Sequence, residues 1–167
     1  LEQYMKHYKN AVVMVSHDRF FLDQTADVVY ELTGKGLRRY PGNYTHYREE
    51  KLKQIRLQKK AYERQQEELA RFLAGYVGFD FDCGVMAVSA HPFTTNLHNK
   101  DVRITTHYTD SVDSSLFSVI HEAGHGIYEL GIRDDLTLTP AGQGASMGMH
   151  ESQSRFFENI IGRNRAF

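Results

Sequence analysis

Cysteine is almost absent. Cys83 is the one thiol in 167 residues, so no internal disulfide can staple the chain. That fits a reducing compartment, and the expected location is cytoplasmic. Cys83 stands between Asp82 and Gly84 with no histidine beside it in sequence, and it reads as structural or incidental. Long apolar runs are also missing. No stretch approaches the roughly 18 consecutive apolar residues of a membrane helix, which excludes one. The opening residues Leu1 to Lys6 have no apolar core, so they do not read as a secretory signal. They also lack an initiator methionine, and the chain is expected to be a fragment or a processed piece. Net charge is only -1, but this hides an imbalance. Residues 1–71 carry 14 Lys and Arg against 10 Asp and Glu, whereas residues 72–167 carry 6 against 11. Two segments of different character are expected.

The first segment contains a short, continuous, β-branched run, Ala11 to Val15, which predicts a strand buried on both faces. Ser16 or Asp18 is placed to cap a short helix carrying Phe20, Phe21, Leu22 and Ala26. Val28–Leu32 and Leu37–Tyr40 read as strands around the Gly34-Lys35-Gly36 turn, and Pro41-Gly42-Asn43 breaks the chain again. From about Thr45 to Ala70 there is neither glycine nor proline. Charged residues dominate around sparse apolar positions (Tyr47, Leu52, Ile55, Tyr62, Leu69), which predicts a long helix with solvated faces or a coiled-coil arm. Beyond Phe72, Val85–Val88 and Val102–Thr106 read as two strands joined by His91-Pro92-Phe93 and a polar loop. Leu116–Leu130 has helical periodicity closed by Gly131. A loop containing Gly142, Gly144 and Gly148 then precedes a second helix over His150–Ile161.

His121-Glu122-Ala123-Gly124-His125 is the informative stretch. Positions i and i+4 of a helix lie on one face, so two imidazoles there can bind one zinc ion from one side. Glu122 lies near such a metal without binding it, where it can take a proton from the attacking water and deliver it to the leaving amine. Gly124 costs roughly 1 kcal/mol against alanine in a helix interior, which makes sense if something approaches the backbone closely. A hydrolytic zinc needs a third protein ligand and an open position. By spacing the candidates are Glu151, Glu158 on the same face two turns later, and Glu129 one turn after His125. His150, beside Glu151, could be a ligand, but reads better as contacting substrate or supporting the ligands.

His91-Pro92-Phe93, Asp101-Val102-Arg103-Ile104-Thr105, His121–His125 and His150-Glu151-Ser152-Gln153 occur in the order seen in the carboxypeptidase Taq family, and residues 72–167 resemble that family throughout. Its members are largely helical, usually homodimeric zinc metallocarboxypeptidases. The resemblance implies His121, His125 and Glu151 as metal ligands and Glu122 as general base. It implies a substrate groove lined by His91, Pro92, Phe93, Asp101, Arg103 and Thr105, which His150 would join if it contacts substrate. Arg103 is a candidate contact for a peptide's terminal carboxylate, its alternative being an ion pair with Asp101. Ser16–Asp23 and Tyr40-Pro41-Gly42-Asn43-Tyr44 resemble the end of an ABC-F ATPase nucleotide-binding domain, with His17 matching its γ-phosphate-sensing histidine. No Gly-x-x-x-x-Gly-Lys-Ser/Thr loop accompanies it, so ATP binding is not expected.

The expected organisation is an ATPase fragment over 1–44, a charged linker helix over 45–71, and part of a zinc carboxypeptidase catalytic domain over 72–167, joined near Arg71. The expected fold class is α+β and predominantly helical. It would hold a His-Glu-x-x-His helix, a third-ligand helix and a small antiparallel sheet, preceded by an α/β fragment. The expected cofactor is Zn2+, with Co2+ or another divalent ion as alternatives. The expected partners are a peptide substrate and a second copy, with no membrane and no nucleic acid or ribosome. The alternatives to an enzyme are an inactive fusion fragment and an ABC-F-like binding module on the ribosome. Leu116, Ile120, Phe156 and Phe157 are expected to need apolar partners.

Overall fold

The computed structural model describes residues 2–167. Secondary structure is mainly helical, with two small sheets. Two compact units are present, Leu1–Ala61 and Tyr62–Phe167.

The first unit holds α1 (Glu2–His7), α2 (Arg19–Thr25), an antiparallel hairpin of β1 (Val28–Thr33) and β2 (Gly36–Pro41), and the first part of α3 (Tyr44–Tyr76). Asp18, rather than Ser16, caps α2, accepting the Phe21 N–H at 3.0 Å. The strand expected at Ala11–Val15 does not form. The segment is irregular, with Val13 97% and Val15 95% exposed. A strand buried on both faces has to join a sheet that is covered on both sides, and the hairpin pairs its two strands only with each other. The expected α/β fragment is therefore short helices beside one hairpin. Tyr40 is the one buried residue described in this unit. Its ring meets Tyr47 edge-on at 4.9 Å, and its hydroxyl donates to Glu31 at 3.3 Å. Glu31 also accepts from Tyr47 and pairs with Lys51. The Lys51 hydrogen bond holds its carboxyl below the usual range.

The second unit begins within α3. Gln66, Ala70 and Ala74 lie four apart and are buried, giving this otherwise charged helix one packed stripe. The helix runs past Gly75 and ends before Gly78, whose φ of +110° suits glycine. Strands β3 (Gly84–Val88), β4 (Thr94–His98) and β5 (Asp101–Thr106) follow, in the order β3-β5-β4. The sheet is mixed, not antiparallel as expected: β3 runs parallel to β5, and only β4 opposes it. The difference comes from β4, which occupies the stretch expected as a polar loop. Thr94-Thr95-Asn96 carries little apolar alternation, yet it turns back along β5 with Thr94 opposite Ile104 and Asn96 opposite Val102. With β4 between β3 and β5 in sequence, the chain re-enters β5 in the direction of β3.

Helix α4 (Val112–Leu130) starts at Ser111, whose Oγ accepts the Ser114 N–H. It ends at Gly131 in a right-handed conformation, so no left-handed cap is used. Its apolar face, with Val119 and Ala123, joins Ala70, Ala74, Phe79, Val102 and Ile104 in one core. A single-turn 3-10 helix (Pro140–Gly142) leads to α5 (Met147–Arg155), capped by Ser146. A π-helical turn over Phe156–Ile161 continues α5. Ile120 and Phe157 are buried, while Phe156 stays exposed. Helix α5 comes very close to α4. A Cβ on Gly124 would lie 2.8 Å from the Ser154 Cα and 3.2 Å from the Phe157 Cβ. Only a glycine admits that approach. No described helix is long and apolar enough to cross a membrane.

Candidate metal centre

His121 and His125 stand one turn apart on α4, with ring centroids 4.9 Å apart and planes at 81°. Across the Gly124 contact, α5 presents Glu151. Its Oε2 lies 3.7 Å from His121 Nε2 and 3.3 Å from His125 Nε2. Ligand atoms of these three residues all fall within 4.8 Å of one another. Zinc bonds of about 2.0–2.1 Å at tetrahedral angles separate neighbouring ligand atoms by roughly 3.3 Å. The two distances, 3.3 and 3.7 Å, are at or near that length, so the donor set fits a divalent cation.

The other ring nitrogens have partners of their own. His121 Nδ1 lies 2.9 Å from Glu158 Oε2. A carboxylate can only accept, so Nδ1 carries the hydrogen and Nε2 keeps its lone pair for a cation. Glu158 thus sits behind His121 instead of beside Glu151. The intervening π turn rotates less per residue than an α turn, so Glu158 does not repeat the position of Glu151. Glu129 is also away from the group; it is buried and bonded to His150 and Asn96.

Charge placement follows burial. Desolvation lowers the His125 pKa, assisted by His150 and His121, which keeps the imidazole neutral and able to donate a lone pair. Burial alone would raise Glu151, but its hydrogen bond from Arg155 and the nearby histidines outweigh this and leave it lowered. Glu122 goes the other way. It is buried, and desolvation raises its pKa despite the Thr94 hydroxyl, which donates to Oε2 at 2.6 Å. A carboxylate made more basic while held in place is suited to accepting and returning a proton.

Thr94 and Asn96 were not legible as site residues. Both lie on β4, in a stretch with no strand signal, and only the tertiary structure brings them to Glu122 and Glu129. His91 and Phe93 are exposed and Pro92 partly so. Thr105 is buried beneath them, with its hydroxyl oxygen accepting the Phe93 N–H at 2.9 Å and the Ser89 hydroxyl at 2.7 Å. Thr105 therefore holds the backbone of this turn. Arg103 forms a two-pronged pair with Asp101, both contacts at 2.9 Å. His17 is exposed at a bend in the first unit.

Known proteins match each segment. Carboxypeptidase 1 of Bacillus subtilis is 48% identical over 103 residues, covering 61% of this chain and 21% of that protein. The crystal structure of the M32 carboxypeptidase from Deinococcus radiodurans aligns at TM-score 0.59 and 42% identity, covering 62% of this chain and 21% of the other. The amino-terminal segment has ABC-F-like relatives. The putative ATP-binding protein YdiF of Bacillus subtilis is 42% identical over 71 residues, covering 42% of this chain and 11% of that protein. The chain spans about a fifth of the length of the curated carboxypeptidases it matches. The profile of the carboxypeptidase Taq (M32) metallopeptidases matches residues 23–167, and the chain belongs to that family.

Proposed function

We propose that residues 72–167 carry the metal-binding heart of a zinc metallocarboxypeptidase, which removes the carboxy-terminal residue of peptides. The observation that carries this reading is the convergence of His121, His125 and Glu151 within 4.8 Å. These three would hold the cation, and family membership supports the same assignment. When bound, a zinc ion supplies an electrophile that polarises the scissile carbonyl and acidifies water. Glu122 takes the proton from the attacking water and returns it to the leaving amine, and Thr94 holds its carboxylate in place. His91 and Phe93 present side chains for substrate on a turn pinned by Thr105. A substrate carboxylate reaching Arg103 has to share it with Asp101.

The second reading is a metal-binding fusion fragment without turnover, favoured by relatives of two kinds, carboxypeptidases and ATP-binding proteins, on its two segments. Residues 1–44 would then be an ATPase remnant and 45–71 its linker helix, in a cytoplasmic protein. The remnant lacks a phosphate-cradling loop, so labelled ATP should show no micromolar binding. Metal analysis and a carboxypeptidase assay on the chain and on Glu122→Gln separate the two readings. The enzyme reading expects one zinc per chain in both proteins and activity only in the parent. Full activity in Glu122→Gln removes Glu122 from the mechanism, and zinc without activity in either favours the fragment.

A further inference from the structure

The sequence reads His150 as contacting substrate or supporting the ligands, and its contacts point to the second and say how. His150 Nε2 lies 2.5 Å from Glu129 Oε1, and the Asn96 side-chain amide donates to Glu129 Oε2 at 2.5 Å. On its other side, His150 Nδ1 meets His125 Nδ1, with the two rings 4.7 Å apart and inclined at 41°. All four side chains thus form one continuous hydrogen-bonded line, and Glu129 is buried within it.

The direction of each hydrogen follows from donor and acceptor capacity. The Glu129 carboxylate has no hydrogen to give, so Asn96 and His150 Nε2 both donate to it. A neutral imidazole with a hydrogen on Nε2 has a bare Nδ1, which can only accept. His125 Nδ1 must then donate, and His125 keeps its lone pair on Nε2. That nitrogen is the one 3.3 Å from Glu151. A protonated His150 would reverse the last step and leave His125 with a hydrogen on the nitrogen that faces Glu151.

We propose that His150 is a positioning residue. It relays the acceptor character of Glu129 to His125 and selects the tautomer that offers Nε2 to a cation. On α4, His121 obtains the same tautomer directly from Glu158. His125 obtains it through an imidazole, because the carboxylate one turn further along, Glu129, is engaged by β4 through Asn96. The inference rests on the metallopeptidase reading for its purpose, but the hydrogen-bonded line is testable without metal.

The first test is two-bond 15N–1H NMR of the full, metal-free chain labelled at histidine. The expected result is a hydrogen on Nδ1 of His125 and on Nε2 of His150. A hydrogen on Nε2 of His125 overturns the proposal, whatever the metal does. The second test measures zinc affinity by competition with a chelating dye. His150→Ala should weaken zinc binding by about 10–100-fold, the usual effect of removing a ligand's supporting partner. His150→Asn, whose amide oxygen can replace Nδ1 as acceptor, should recover most of the loss. Equal affinity in the parent and His150→Ala overturns the proposal, as does failure of His150→Asn to recover when its metal-free melting matches the parent. If the parent itself fails to bind zinc, the metallopeptidase reading falls, and the NMR result still decides the relay.

Discussion

The two units use similar local ingredients and reach different degrees of order in their interiors. In Leu1–Ala61 the capped helix α2, the hairpin and the start of α3 form where the sequence signals them, yet Tyr40 alone among the described residues of this unit is buried. It is held mainly by polar partners, through Glu31, Tyr47 and Lys51. In Tyr62–Phe167, three layers contribute to one core: the α3 stripe, the centre of β5 and the apolar face of α4. The difference teaches that secondary structure can persist where tertiary burial is thin, whereas a site that must hold ligand atoms to a few tenths of an ångström sits where backbones are locked by packing.

The largest effect should come from testing burial itself. Ile104, at 1% exposure on the central strand, should cost about 2–5 kcal/mol when replaced by alanine. Leu32→Ala, at 83% exposure on β1, should stay within about 0.5 kcal/mol. Urea unfolding of each variant checks the contrast, and comparable losses would erase the distinction between the units.

A middling effect is expected from the helix crossing. Gly124→Ala puts a methyl 2.8 Å from the Ser154 backbone, so α5 must shift, at about 1–3 kcal/mol and with weaker zinc binding as Glu151 moves. Gly148 lies in α5 with only Ser146 Oγ near, at 3.7 Å, and there alanine should be neutral or stabilising. Thermal melting with and without zinc measures both. Unchanged zinc affinity in Gly124→Ala would show that the close crossing is not what places Glu151.

The smallest effect, in opposite directions, concerns two carboxylates. Glu122 is raised by burial and Glu31 is lowered by its Lys51 hydrogen bond. Protonated Glu122 is favoured by the fold, so its contribution to the second unit is present below the ordinary carboxylate pKa and lost as pH rises through its own. Ionised Glu31 is favoured, so its contribution to the first unit is present above the ordinary pKa and lost as pH falls through its own. Thr94→Val should raise Glu122 further, and Lys51→Met should raise Glu31. Carboxyl 13C titrations of the metal-free chain read both, and a Glu122 that titrates below Glu31 would contradict the burial argument.

Local periodicity carries the elements whose determinants lie within a few residues. The α4 stripe and the His121–His125 spacing depend only on the helical repeat, and the hairpin depends on its Gly34-Lys35-Gly36 turn. They were legible for that reason. Strand β4 was not, because Thr94 to His98 carries little apolar alternation of its own; it pairs with β5 across a two-residue turn, and its hydrogen bonds to α4 come from a segment distant in sequence. The strand expected at Ala11–Val15 failed for the converse reason, since its apolar character finds no sheet to join.

By itself, then, the sequence determined that two imidazoles one turn apart lie on one face of a helix with a glutamate beside the first, since the helical repeat of about 3.6 residues brings i and i+4 together. It did not determine which distant carboxylate faces them. Spacing favoured Glu151 only narrowly over Glu158, with Glu129 a weaker rival. The close crossing at Gly124, the π turn after Arg155 and the arrival of β4 put Glu151 before the rings, Glu158 behind His121 and Glu129 behind His150. Such choices belong to tertiary structure because they depend on how closely two backbones approach, a distance that no local repeat encodes.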